Sequence, residues 1–289
     1  MLAARLHPMS VAIVTDSTAS LSPDDAARDS ITVVPLQVVI GADVYTEGVD
    51  VTSEMIAEAL AAFVPVNTSR PTPEDFLAAY ERLAAEGATA IVSVHLSAKM
   101  SGTLDSAVLA SKQASVPVTC VDSLQVGIAT GFAAGRASRV RDAGGDALAV
   151  ADVARVAGES STTMLYVDTL EYLKRGGRVG AAAALIGSAL AVKPLLTLRD
   201  GLVVPLERVR TTGKALSRLE ALAVEACEAC ADGFDIGVQH LANESVADAV
   251  AQRLATTLGR DIIPVDEVGA AIGAHVGPGM VSVTVTPRE

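Results

Sequence analysis

The sequence predicts an α/β protein of two α/β domains, the first with a mostly parallel sheet. Three observations lead there. Short β-branched apolar runs alternate with helical stretches along the chain. The runs at 11–14, 90–94 and 116–121 each end in a polar loop holding Asp-Ser or Ser-Gly, and open α/β sheets bind ligands outside such strand ends. Around residues 158–162 the chain changes character, which divides it into an N-terminal domain at 10–160 and a C-terminal domain at 161–289.

The chain has 289 residues, enough for one large or two medium domains. Hydrophobic residues make up 50% and aromatics only 3%, with no Trp, so the core must be built from Ala, Val, Leu and Ile. So few aromatics leave no base-stacking surface, and a net charge of −12 leaves no footprint for a phosphate backbone. Nucleic acid is therefore excluded as a partner. The three cysteines, Cys120, Cys227 and Cys230, form an odd set, and the N-terminal apolar run before Asp16 is too short for a secretory signal. A reducing cytoplasm is the expected location. Cys227 and Cys230 have CxxC spacing, but they fall in a helical run with no second pair, so no metal site is expected.

In the first half, 11–14 is a buried strand, Ser22 caps a helix at 23–28, and 31–34 is a strand. Residues 38–44, with Gly41-Ala42 inside, read as a small hairpin or flap. Thr52 and Ser53 open an amphipathic helix ending near Phe63. Residues 64–72 read as extended loop, because Pro65 and Pro71 push the residues before them out of the α region. Thr68, Ser69 and Arg70 place two hydroxyls and a cation in that loop. Thr72-Pro73-Glu74-Asp75 starts a helix with a capping box.

The strand at 90–94 leads through Ser101-Gly102-Thr103 into a helix at 104–114. Unpaired amides and the positive dipole end, with Gly102 permitting close approach, suit a small anion such as a carboxylate or phosphate. Ser101 acting only as an N-cap fits the same residues. After a strand at 116–121, residues 124–141 read as a helix whose Gly127, Gly131 and Gly135 give one close-packing face. A helix at 146–157 follows.

The second half opens with a strand at 164–167. Lys174, Arg175 and Arg178 then bracket Gly176-Gly177 in an otherwise acidic chain, which fits an anion role or a solvated basic turn. Residues 181–192 read as a small-residue helix. Asp200-Gly201 joins strands at 195–199 and 202–210 as a hairpin, with Pro205 bulging the second. A helix from Thr211/Thr212 to about Ala231, a strand at 235–240, a helix at 244–258 capped by Asn243, and strands at 262–265 and 281–285 complete the chain. His275 precedes Gly277-Pro278-Gly279 on a rigid loop and is the candidate functional histidine. His7, His95 and His240 read as structural.

Thr68-Ser-Arg-Pro71, Ser101-Gly-Thr103 and His275-Val-Gly-Pro-Gly279 resemble, in order, the motifs of the DegV family of bacterial fatty-acid-binding proteins. Val14-Thr-Asp-Ser-Thr18 and Tyr172-Leu-Lys-Arg-Gly-Gly-Arg178 fit as well, and the resemblance runs from about Val11 to Val285. It implies one long-chain fatty acid, such as palmitate or oleate, in an apolar tunnel between the domains. The carboxylate would lie at the mouth, bound by Thr68, Ser69, Ser101, Gly102, Thr103, Arg178 and His275. Leu185, Ile186 and Leu190 would line the tail. The resemblance implies no cofactor beyond that ligand and no catalytic residue. A separate ATP-dependent fatty acid kinase subunit would phosphorylate the carboxylate, docking at Lys174, Arg175 and Arg210. The acyl phosphate would enter phospholipid synthesis, with transient membrane contact. The lack of a Walker A sequence agrees. The sequence departs from the family at Arg70, usually neutral, and at Leu104-Asp105. Two other classes fit the residues alone. One is an acyl-ester serine hydrolase using Ser101 and His275, without a GxSxG elbow. The other is an enzyme acting on a small phosphorylated metabolite.

Overall fold

The computed structural model describes residues 10–185 and 193–288. The first half runs β1 (Val11–Asp16), α1 (Pro23–Arg28), β2 (Ile31–Val34), β3 (Gln37–Ile40), β4 (Asp43–Thr46), α2 (Ser53–Ala61), β5 (Val66–Ser69), α3 (Pro73–Ala85), β6 (Ala90–His95), α4 (Thr103–Ser111), β7 (Val118–Asp122), α5 (Ile128–Asp142) and α6 (Ala147–Ser160). The second runs β8 (Thr162–Tyr166), α7 (Glu171–Arg175), a 3₁₀ turn (Gly180–Leu185), β9 (Lys193–Arg199), β10 (Leu202–Val209), α8 (Thr212–Glu228), β11 (Phe234–His240), α9 (Glu244–Leu258), β12 (Val265–Glu267), α10 (Ala270–Val276) and β13 (Val281–Pro287).

The fold is α/β, with three sheets among the described residues. The first is fully parallel, in the order β2-β1-β6-β7. The flap forms a second sheet, β4-β3-β5, with antiparallel pairing. The third has six strands in the order β10-β9-β8-β13-β11-β12, antiparallel except for β11 beside β12. Helices α3 and α4 cover one face of the parallel sheet, burying Phe76, Ala107 and Ala110 against Val14 and Ile91. Helices α5 and α6 cover the other face through Ala133, Ala137, Ala154 and Ala157, and they also reach β13 of the six-stranded sheet. The far face of that sheet is buried under α8 and α9 by Leu219, Ala223, Val250 and Leu254. Alanine-lined helices let the layers approach closely. Gly131 is part of this, since a Cβ there would stand 2.5 Å from the Ala19 carbonyl oxygen.

Local chemistry explains most element boundaries. Thr72 and Asp75 close the expected capping box at α3. Asp200 (φ 50°) and Gly201 (φ 76°) make the hairpin turn, and the ladder shifts register between Pro205 and Glu207. Several boundaries differ from the sequence reading. The helix expected from residue 124 begins at Ile128, because Leu124 and Gly127 take positive φ; the Gln239 side chain accepts from the Ile128 amide at 2.9 Å. The expected loop at 64–72 contains β5, whose extended residues add an edge strand to β3. The strand expected at 262–265 is β12, Val265–Glu267; Ile262 is exposed and the Pro264 carbonyl starts the pairing with β11. Asn243 holds the N-cap position of α9, but its side chain donates to the Gly279 carbonyl instead. His275 lies in the last turn of α10, a helix where the sequence suggests a loop. Of the helix expected at 181–192, the described part is the 3₁₀ turn ending at Leu185; Ile186 and Leu190 lie outside the described residues, and so does His7.

Cys120, Cys227 and Cys230 are free thiols. Among the described residues no cluster of His, Cys, Asp or Glu could hold a metal, and no helix is long and apolar enough to cross a membrane.

Candidate functional site

Helix α10 is short and rich in small residues, so packing rather than propensity must hold it. Ala270, Ala271 and Ala274 are buried against Ile56 and Leu60 of α2. At its start the buried Glu47 carboxylate accepts from the Ala271 amide at 2.7 Å and from the Ser17 hydroxyl. A carboxylate there complements the helix dipole. Burial nevertheless pushes the Glu47 pKa up, and the Ser17 and Ala271 donors only partly offset this. At its end Gly277 takes φ 75°, ψ 166°, a region open essentially to glycine, and the Tyr172 ring fills the space a side chain would need. The His275 ring similarly occupies the place of a Cβ on Gly176. The end of α7 and the end of α10 therefore interlock through two glycines.

This interlock aims His275. Its Nε2 is 2.9 Å from the Thr68 hydroxyl, while its buried Nδ1 has no partner among the described residues. The tautomer protonated on Nε2 donates to Thr68 and frees the threonine hydroxyl hydrogen for a ligand. Burial, then the charge of Arg178, lowers the His275 pKa to about 4, so the imidazole is neutral at pH 7. Alternation along β5 turns Thr68 toward α10 and Ser69 toward solvent.

The Ser101-Gly102-Thr103 loop approaches the same place. The N-cap of α4 by position is Gly102, not Ser101. The Ser101 hydroxyl accepts from the Thr103 amide at 3.3 Å and pairs with the buried Thr103 hydroxyl at 2.9 Å. Arg178 donates from Nε to the Met100 carbonyl at 2.9 Å and from Nη1 to the Gly176 carbonyl at 2.6 Å. Thr68, Ser101, Arg178 and His275 thus converge on one cavity with about 640 Å³ of space free of protein atoms, counting its mouth. The remaining wall is nearly all aliphatic, including Leu36, Leu96, Val126, Leu165, Leu198 and Ile272. Thr18 is a polar lining residue that the sequence reading left out, though it sits in the Val14–Thr18 motif. Ser69 and Thr103 are not among the lining residues, and Gly102 borders an adjoining hollow. Lys174, Arg175 and Arg210 are exposed, with Arg175 paired to Glu171 at 3.1 Å.

Ser101 and His275 do not form the nucleophile–base pair a hydrolase needs; each is bonded elsewhere. A triad-like set does exist beneath the cavity. The register that pairs Thr15 with Val94 sets Asp16 beside His95, whose Nδ1 lies 2.9 Å from the Asp16 carboxylate and whose Nε2 lies 2.7 Å from Ser93 Oγ. All three are fully buried, and Ser93 also accepts from Tyr80 at 2.9 Å. No substrate reaches Ser93, so the set is structural, as expected for His95. The other carboxylate oxygen of Asp16 accepts from the Thr18 amide and hydroxyl at 3.1 and 2.5 Å, fixing a residue of the cavity wall.

The His275 pKa predicts a pH dependence. An imidazole at about 4 when folded and near 6.5 when unfolded binds fewer protons in the folded state. Its contribution is present above pH 6.5 and is lost as pH falls through about 4. The full difference is on the order of 3 kcal/mol. Urea unfolding of wild type and His275→Asn from pH 7.5 to 4 isolates it: the stability gap should change over that window, and a constant gap contradicts a depressed pKa.

Fold and cavity define an α/β protein with a largely aliphatic cavity that hydroxyls, a guanidinium and a neutral imidazole also line. The family model described as "Uncharacterised protein, DegV family" matches residues 10–288. A DegV domain-containing protein of Streptomyces coelicolor is 50% identical over 286 residues, covering 96% of this chain and 99% of that one. A DegV family protein from Thermus thermophilus, whose structure concerns fatty acid binding, matches with a TM-score of 0.90 at 33% identity, covering 97% of this chain and 100% of that one. DegV of Bacillus subtilis, a fatty acid binding protein, matches with a TM-score of 0.88 at 30% identity and the same coverage. The chain belongs to the DegV family.

Proposed function

We propose that the chain binds one long-chain fatty acid and presents its carboxylate to a separate ATP-dependent kinase subunit. The observation that supports this best is the convergence of Thr68, Ser101, Arg178 and His275 on one cavity whose remaining wall, Thr18 apart, is nearly all aliphatic. Fatty acid binding by the similar Thermus and Bacillus proteins supports it too. Each buried methylene contributes about 0.8 kcal/mol, so the tail supplies most of the affinity and the polar end sets orientation. The Thr68 and Ser101 hydroxyls donate to the carboxylate, and Arg178 balances its charge. The anion would in turn raise the His275 pKa from its low ligand-free value.

The chain itself catalyses nothing in this reading. In the coupled reaction a carboxylate oxygen attacks the γ-phosphorus of ATP held by the partner, and ADP leaves. Lys174, Arg175 and Arg210 steer that acidic partner. The protein functions in the cytoplasm, with the acyl phosphate passing to phospholipid synthesis at the membrane. Denaturing extraction followed by mass spectrometry should release fatty acid near one per chain. Protein that yields none and also fails to take up palmitate or oleate would refute the reading.

A further inference from the structure

Three pairs of chain neighbours stand back to back across one thin wall. Thr18, Leu36 and Ala271 line the cavity. Ser17, Pro35 and Ala270, each one residue earlier, line an outer hollow of about 1710 Å³, counting its mouth. Glu47, which follows β4, lines that hollow too and ties the three segments together. Its carboxylate accepts from the Ser17 hydroxyl and, at 2.7 Å, from the Ala271 amide. Its own amide donates to the Leu36 carbonyl at 2.9 Å, and the Leu36 amide donates to the Ser17 oxygen at 2.9 Å. Leu36, Ser17 and Glu47 thus close a ring, with α10 attached at Ala271. A side chain at Gly269 would take the place of the carboxylate. Burial first, and the like charge of Asp16 last, push the Glu47 pKa up against the Ser17 and Ala271 donors. An apolar side chain would avoid the desolvation cost of a carboxylate that is 6% exposed, but it could accept no hydrogen bond.

The ring reaches both partners of one contact in the site. His275 lies one turn beyond Ala271 on the same face of α10, and both line the cavity. Leu36 leads into β3, whose Val38 pairs with Thr68 of β5. Both ends of the 2.9 Å Thr68–His275 contact therefore trace back to the Glu47 side chain and its backbone. We propose that Glu47 is a positioning residue for the head-group site: from the outer side of the wall it sets His275 against Thr68, and with them the grip on the fatty-acid carboxylate. This role rests on the fatty-acid reading of the cavity.

Wild type, Glu47→Ala, Glu47→Gln, Ser17→Ala and the control Leu219→Ala are compared as delipidated full chains. Melting temperature, palmitate affinity and the ring-nitrogen NMR signals of His275, assigned with His275→Asn, are measured where each protein is folded. Leu219 is buried under α8 on the far face of the six-stranded sheet, so its truncation lowers stability away from the cavity. Glu47→Ala should lose about tenfold in palmitate affinity. Its His275 ring should change from the single Nε2-protonated form to a mixture of tautomers. Glu47→Gln, which keeps one acceptor, and Ser17→Ala, which frees Leu36 but leaves Ala271 bound, should each lose about threefold. Leu219→Ala should melt lower and keep wild-type affinity and His275 signals. If Glu47→Ala melts lower yet keeps its affinity, or loses affinity with unchanged His275 signals, the carboxylate serves folding alone and the proposal is overturned. An equal loss of affinity in Leu219→Ala overturns it too, because affinity would then follow stability. Should Glu47→Ala not fold, Glu47→Gln and Ser17→Ala decide, and wild-type affinity in both overturns it. Wild-type protein that takes up no palmitate ends the fatty-acid reading and this role together, whereas uptake by wild type and all variants alike ends this role alone.

Discussion

Replacing Thr68 and Ser101 together by alanine should weaken palmitate binding by about a hundredfold and stop acyl-phosphate formation with a competent kinase. Each hydroxyl donates to a charged oxygen, and such bonds contribute roughly 1.5–3 kcal/mol. Taking the lower figure for each gives about 3 kcal/mol, or two decades in Kd. The tail would keep some lipid in place, so residual binding with a loosely oriented head is the expected state. Ser69→Ala is the control, since that side chain faces solvent one residue away. Displacement of a fluorescent fatty acid reads all variants. An unchanged Kd in the double variant, or an equal loss in Ser69→Ala, would remove both hydroxyls from the head-group site.

Gly277→Ala should cost about 3 kcal/mol or more of stability, a large share of what a domain has. Two terms add. The backbone at φ 75°, ψ 166° is strained for any residue with a Cβ, by about 1–3 kcal/mol. The new methyl would also overlap the Tyr172 ring. Combining Gly277→Ala with Tyr172→Ala separates them, because the second change removes the overlap and leaves the backbone term. Urea midpoints for the four proteins should show the double variant losing less than the sum of the singles. Strict additivity would mean that the ring does not fill the glycine's space.

The sequence was readable where local chemistry decides the backbone. Thr72-Pro73-Glu74-Asp75 names its own helix start, and Asp200-Gly201 names its hairpin. The parallel sheet followed from apolar runs ending in polar loops. Helix α10 was not legible, because Gly269, Gly273 and Gly277 give it the look of a loop; burial against α2 and the Glu47 carboxylate make it helical. The motifs that resembled a known family named four residues that line the cavity, but spacing could not show which of their neighbours turn away. Ser69 fails by strand alternation alone. Two relations were out of reach, since both join residues far apart in the chain: Asp16 with His95 through strand register, and Gly176 with His275 through complementary shape.

Helices α5 and α6 belong by chain order to the first half, yet they are the shared wall of both. Arg136 of α5, nearly buried, donates to Asp235 and to the Thr286 carbonyl on the far sheet, each at 3.1 Å. The Ser123 carbonyl stands where Gly158 of α6 would carry a side chain. Peeling one sheet away would strip an alanine face of its cover and leave the Arg136 charge without its acceptors. Each half also has a core of its own, but α5 and α6 pack on both the parallel sheet and the six-stranded sheet, so loosening either helix would disturb both. The cavity draws its lining from both halves, Thr18, Thr68 and Ser101 from one and Arg178, Ile272 and His275 from the other, so any shift of one half against the other would reshape it.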